Sequence, residues 1–310
     1  MTLAVLCLHL LVTGVLLPRR LAGSVRLQAR PATGAALWLA LMASFAVALL
    51  LTAHHAVEPF AHRPAGLLGL LDLFGRPPHG EPAGPGLPHT HDWWLLTVGG
   101  ALFAALVTAV GLRTGRDRRR HRTVLDVVGV PDRRWDALVL EHGRPTVYCL
   151  PGRRSRVVLS RGALRLLDER QLAAAVAHEH GHIRGRHHLF RLPADTFALL
   201  LGPLPLARLG RSEVALLLEM AADDAALERA SRDELASALC ALATSGPAPA
   251  AGADGAGAGA GGALGVASTG VLARVRRLAR PGTGRRRPVW RFGVSVLPLL
   301  PYLLVCAPHP

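Results

Sequence analysis

The spacing with the clearest chemistry is His178-Glu179-His180-Gly181-His182, an H-E-x-x-H arrangement. On an α-helix, residues four apart share a face, so His178 and His182 can hold one metal ion together. Glu179 then stands beside the metal, where it can take a proton from a metal-bound water. The chain has 15 histidines, so a chance match needs support from elsewhere. Glu219-Met220-Ala221-Ala222-Asp223, inside a second helical run over 213–229, supplies it. One carboxylate from that helix, Glu219, completes three protein ligands and leaves a fourth zinc position for water. Asp223, one turn further on, can accept a hydrogen bond from a ligand histidine's other ring nitrogen. Two His and one Glu with an open position favour zinc, one ion per chain. His180 points off the ligand face. His187 and His188 fall at the helix end, where positive charge suits the dipole, so solvated or structural roles are expected for all three.

These residues need two helices and a support. Asp168 followed by Gln171 has the form of a capping box, and the apolar run 172–177 carries the helix into the motif. Gly181 weakens that helix slightly. Upstream, 145–150 (PTVYCL) and 156–160 (RVVLS) read as strands joined by a turn at Pro151-Gly152, and Ser160 as the cap of a short helix to Leu167. A free strand edge beside a zinc helix can bind substrate backbone in extended form. Helices are also expected over 233–244 and 271–280, with a low-complexity Gly/Ala loop at 246–265.

Half of the residues are hydrophobic, the formal charge is +15 and the mean hydropathy is +0.30. The positive charge is nearly all arginine beside apolar runs, without interleaved aromatics to stack bases. That disfavours direct nucleic-acid binding and favours a membrane surface. Cys7, Cys149, Cys240 and Cys306 are scattered and imply neither a disulfide framework nor a cysteine metal site.

Three apolar runs, about 1–17, 35–53 and 93–112, are expected to cross a membrane, with Trp93 and Trp94 at an interface level. Arginines follow the first run (Arg19, Arg20, Arg26, Arg30) and the third (Arg113 to Arg122), which puts those flanks inside. The segment 54–92 reads as a polar outer loop in which His54, His55, His62, His79, His89 and His91 are incidental; metal sensing is the alternative. The apolar run 196–209 is short for a span, and either a re-entrant segment or buried core fits it. A fourth span is expected within 289–310. This gives outer N- and C-termini and a cytoplasmic domain over 113–288. The expected fold is mainly α: a multi-span helical membrane protein with a cytoplasmic α+β zincin-like metallopeptidase domain.

This pattern resembles the BlaR/MecR-type membrane zinc metallopeptidases, gluzincins related to HtpX and to the C-a-a-X prenyl protease. The resemblance is carried by YCLPGRRSRVVLSRGAL (148–164), AHEHGHIRGRHH (177–188), EMAADDAAL (219–227), three preceding spans and one following span. It implies zinc on His178, His182 and Glu219, Glu179 as general base, and peptide-bond hydrolysis. It also implies a protein substrate, such as a cytoplasmic transcriptional repressor or the chain itself. Arg274, in the run VLARVRRLAR, resembles a residue near the active site of related peptidases, suited to substrate or a developing oxyanion. The antibiotic-sensing members carry a penicillin-binding domain after the last span, and this chain stops at Pro310. HtpX-like quality control and a non-catalytic transducer are the rival readings. The two spans expected before the motif in HtpX-type proteins, against three here, disfavour the first; the intact motifs disfavour the second.

Overall fold

The structure is a computed structural model that describes residues 2–61, 93–152, 155–245, 270–280 and 297–301. Apolar composition dictates the first elements. α1 (Thr2–Leu11) runs through a π-helical turn (Val12–Leu16) into α2 (Leu17–Leu21), and α3 (Val25–Gln28) leads to α4 (Pro31–Ala61). α5 (Trp93–Val128) follows. Three stretches, Leu3–Leu21, Pro31–Ala56 and Thr97–Val128, are long and apolar enough to cross a membrane. The first helical run continues to Leu21 and α4 begins at Pro31, a few residues beyond expectation, and two boundaries differ by more. α4 continues through His54 and His55, which the sequence assigns to a loop. α5 does not stop at the arginine run but carries it as helix. Arginine is a good helix former, and no proline interrupts the chain between Trp93 and Val130. Histidines 62, 79, 89 and 91, the Gly/Ala loop and nearly all of the last expected span lie outside the described residues. Of that span, 297–301 form a short helical turn against α4.

A four-stranded sheet follows: β1 (Val130–Asp132), β2 (Ala137–Leu140), β3 (Val147–Leu150) and β4 (Arg156–Ser160), in the order β1-β2-β4-β3. β3 and β4 form the expected antiparallel pair, with Val147 opposite Leu159. β2 joins β4 in parallel, Ala137 opposite Val157. The end of α5 is tied to this sheet. Arg122 donates to the Pro151 carbonyl at 3.1 Å, and Asp126 pairs with Arg156.

The helices that carry the chemistry come next. Ser160 Oγ accepts from the Ala163 amide and caps α6 (Arg161–Leu166). α7 (Glu169–Arg184) opens with the expected capping box between Asp168 and Gln171. α8 (His187–Leu201) and α9 (Pro205–Ala226) form a helical hairpin, and α10 (Arg232–Thr244) opens on a second capping box, Ser231 with Glu234. α11 spans 270–278.

Two cores divide the labour. Trp38, Leu41, Met42 and Phe45 of α4 pack on Phe197, Leu206, Val214, Leu217 and Met220 of the hairpin. Val139, Val157 and Leu159 of the sheet pack on Leu172 and Val176 of α7 and Ala238 of α10. In the second core, away from the candidate spans, each fully buried large side chain such as Leu159 contributes about 1.5–3 kcal/mol. α9 belongs to the first core and packs against α7, so it joins the apolar helices to the sheet layer.

Candidate metal centre

α7 and α9 cross at Gly181. A Cβ there would lie 3.0 Å from the Ala222 carbonyl oxygen and 3.1 Å from the Ala222 Cα. The absent side chain lets α9 approach the motif closely, so this glycine does more than weaken a helix. The approach brings Glu219 over the two histidines. His178 Nε2 and His182 Nε2 are 3.2 Å apart. Glu219 Oε2 is 3.4 Å from the first and Glu219 Oε1 is 3.4 Å from the second. One donor atom from each of the three side chains lies within 4.8 Å of the others. Two imidazole nitrogens and one carboxylate oxygen converging on a single point suit a tetrahedral divalent ion with one position left over. Zinc fits this donor set.

Both histidines are oriented from behind. Asp223 Oδ1 lies 3.0 Å from His178 Nδ1, and Asp223 is fully buried. His182 has a partner for which the spacing gives no sign: His187 Nδ1 lies 2.9 Å from His182 Nδ1. α7 ends at Gly185, and Arg186 adopts a left-handed conformation (φ 48°), which turns the chain back and returns the His187 ring to the motif. A Cβ on Gly185 would strike that ring. Burial, with His182 beside it, lowers the His187 pKa to about 4, so it is neutral and can accept the Nδ1–H of a metal-binding His182. His187→Ala is expected to weaken zinc binding about 10–100-fold while sparing the fold. A chelator-competition titration would show this, and unchanged affinity would assign His187 a packing role only.

Arg274 reaches the site from α11. Its Nε and Nη2 donate to both Asp223 oxygens at 2.9 and 2.6 Å, and Nη1 donates to Glu219 Oε2 at 3.0 Å. Its side chain is only 8% exposed. The guanidinium therefore braces two carboxylates while also lining the cavity in front of them. Arg232 supports α11 from α10, donating to the Leu278 carbonyl at 3.2 Å. His180 lies on α7 outside the converging donor set, and His188 is the second residue of α8; both are half-buried.

The electrostatics follow from this packing. Burial opposes charge on Glu219, but hydrogen bonds from His178 and His182 and the Arg274 charge hold its carboxyl well below the usual range. Burial also opposes charge on Asp223, which His178 and Arg274 overcome, keeping it ionised. Burial alone would lower the His178 pKa; the Asp223 and Glu219 carboxylates outweigh it and raise it to about 9. A metal ion can take that nitrogen only after the proton has left. Below about pH 9 His178 would have to release a proton to bind zinc, so affinity should rise with pH by up to about tenfold per unit until that point. Zinc titrations between about pH 6.5 and 8.5 check this, and a flat response would contradict it.

Glu179 and Arg274 line a cavity of about 170 Å³ together with Val147 of β3 and Leu235, Leu239 and Leu242 of α10. Cys149, also on β3, contacts Glu179; burial, with Glu179 and Glu219 nearby, pushes its thiol well above the ordinary range, so it stays protonated. The site therefore has a polar floor and an apolar wall beside the end strand of the sheet.

Residues 112–244 match the model of Peptidase family M48, a span that includes His178, Glu179, His182, Glu219 and Asp223. That match supports a metallopeptidase domain of this family type over those residues. A search of curated proteins and a search of solved structures return no match to the chain.

Proposed function

We propose that the chain is an integral-membrane zinc metalloendopeptidase of the BlaR/MecR type, with its peptidase domain at the cytoplasmic face, acting in regulatory signalling. The convergence of His178, His182 and Glu219, with Glu179 beside them in a cavity, carries this reading. Zinc in that donor set supplies Lewis acidity toward a carbonyl and toward water. Glu179 accepts the proton of the attacking water and returns it to the leaving amine. Asp223 and His187 hold the two ligand rings in the tautomer that leaves Nε2 free for metal. The outer edge of β3 offers backbone donors and acceptors to an extended polypeptide, and Leu235, Leu239 and Leu242 favour an apolar side chain beside the cut bond.

Contacts between the membrane-side segments and the site favour the regulatory reading over quality control. The turn after α2 docks on α9, where the Gly23 amide donates to Glu213 Oε1 at 2.9 Å. Arg277 of α11 donates to the Gln28 carbonyl at 2.8 Å and pairs with Asp224 at 2.7 Å. The loop joining the first two apolar helices thus touches both helices that position Glu219 and Arg274. A shift of those helices would be felt at the site.

Profiling of new protein N-termini in cells with and without the active enzyme tests this. Few cuts are expected, concentrated in a DNA-binding repressor or in this chain. Many cuts spread over damaged membrane proteins would support quality control. None, under any stimulus, would leave the non-catalytic transducer.

A further inference from the structure

We infer that the turn of the α8–α9 hairpin is a membrane-inserted wedge, whose occupied surface is the inner leaflet of the bilayer and whose effect is to hold the metal centre close to the lipid headgroups. This rests on the reading that α4 and α5 cross a membrane, and it narrows the substrate class to polypeptide presented at the membrane surface.

The twelve residues over 196–207 (TFALLLGPLPLA) carry no charged side chain. One flank holds Arg191 and Asp195, the other Arg208 and Arg211. The two flanks meet across the hairpin, where Arg211 donates to Asp195 at 2.8 Å and Arg191 approaches the same carboxylate at 3.4 Å. The result is an apolar tip above a collar with two more positive than negative charges.

The neighbours of the hairpin give its level. Leu192, next in the chain to Arg191, abuts Gly111 of α5, two residues before that helix's charges begin at Arg113. The collar therefore sits where the third apolar helix leaves its apolar stretch. Beyond the collar, Phe197 packs edge-on against Phe45 at 6.1 Å between ring centroids. Phe45 lies fourteen residues into α4, about 21 Å along it. The tip thus runs along α4 inside its candidate span, Pro31–Ala56.

One face of the tip packs on α4, and among the described residues the other is exposed: Leu199 is 70% and Leu200 52% exposed. Water would penalise that face, whereas acyl chains would cover it as they cover the rest of α4 and α5. Arginines at the collar suit phosphate headgroups and can extend toward them along their alkyl stems. Glu219 follows Arg208 by eleven residues of the same helix, so the metal centre stands within about 16 Å of the collar.

Bimane attached at Leu199→Cys in proteoliposomes, with the native cysteines replaced, tests this. Nitroxide-bearing lipids report acyl-chain contact and aqueous iodide reports water. Leu102→Cys, on the exposed apolar face of α5, is the span control; native Cys240 on α10, retained alone, is the aqueous control. Zinc content verifies that each variant is folded, and Leu200→Cys serves as a second reporter. The expected result is lipid quenching at Leu199 at least half that at Leu102, with iodide acting only at Cys240. Iodide quenching at Leu199 with lipid quenching kept at Leu102 would overturn the wedge and spare the spans. Iodide quenching at both would overturn the spans as well. Protection of Leu199 from both quenchers would show a protein cover and also overturn the proposal.

Discussion

Glu179→Gln is expected to bind zinc as the wild-type chain does and to lose about 10²–10⁴-fold in cleavage rate. The amide keeps the size of the side chain and its place in the cavity beside His178, but it cannot take a proton from water. None of the three metal donors is touched, since Glu179 is not among the converging atoms. Parallel metal analysis and cleavage of one peptide by both proteins checks the prediction. Loss of zinc in the variant would move Glu179 into the ligand set. Unchanged cleavage would remove it from catalysis.

Arg274→Met is expected to be among the most destabilising single changes in the peptidase domain. The Arg274 side chain is 8% exposed and that of Asp223 is 1% exposed. Removing the guanidinium leaves the Asp223 carboxylate buried with His178 as its remaining partner, and breaking a buried pair in this way costs about 3–5 kcal/mol. Glu219 loses its donor from Arg274 at the same time, so its carboxylate is no longer held toward the histidines. Denaturant titration of the purified protein should show the lost stability, and zinc affinity should fall with it. An Arg274→Lys variant keeps charge but not the two-point grip on Asp223, so it should recover only part of the loss. Wild-type stability in Arg274→Met would mean that Asp223 is solvated and that the brace is dispensable.

The parts of the fold legible in the sequence are those specified by neighbours along the chain. The H-E-x-x-H face follows from helical repeat, and the caps at Asp168 and Ser160 from side chains that reach backbone three residues away. The β3–β4 pair follows from two apolar runs around Pro151-Gly152. β1 and β2 are not legible. Their sequences, VPD and ALVL, are too short to show alternation, and β2 is fixed by a parallel partner across a longer connection. His187 reads as a helix-end cation because its role depends on Arg186 entering the left-handed region, which sequence favours for glycine or asparagine instead. Gly181 reads as a small helical cost because its use lies in a second helix about forty residues away. Arg274 could be placed near the site only through the resemblance; its grip on Asp223 and Glu219 joins residues more than fifty positions apart.

Metal stoichiometry coupled to activity tests the central claim most directly. The purified full chain, assayed by mass spectrometry of bound metals, should carry one zinc, and peptide cleavage should disappear on chelation and return with added zinc. His182→Ala should bind little zinc and cleave nothing under the same conditions. A chain that binds no metal, or one whose cleavage is unaffected by complete metal removal, would contradict the account.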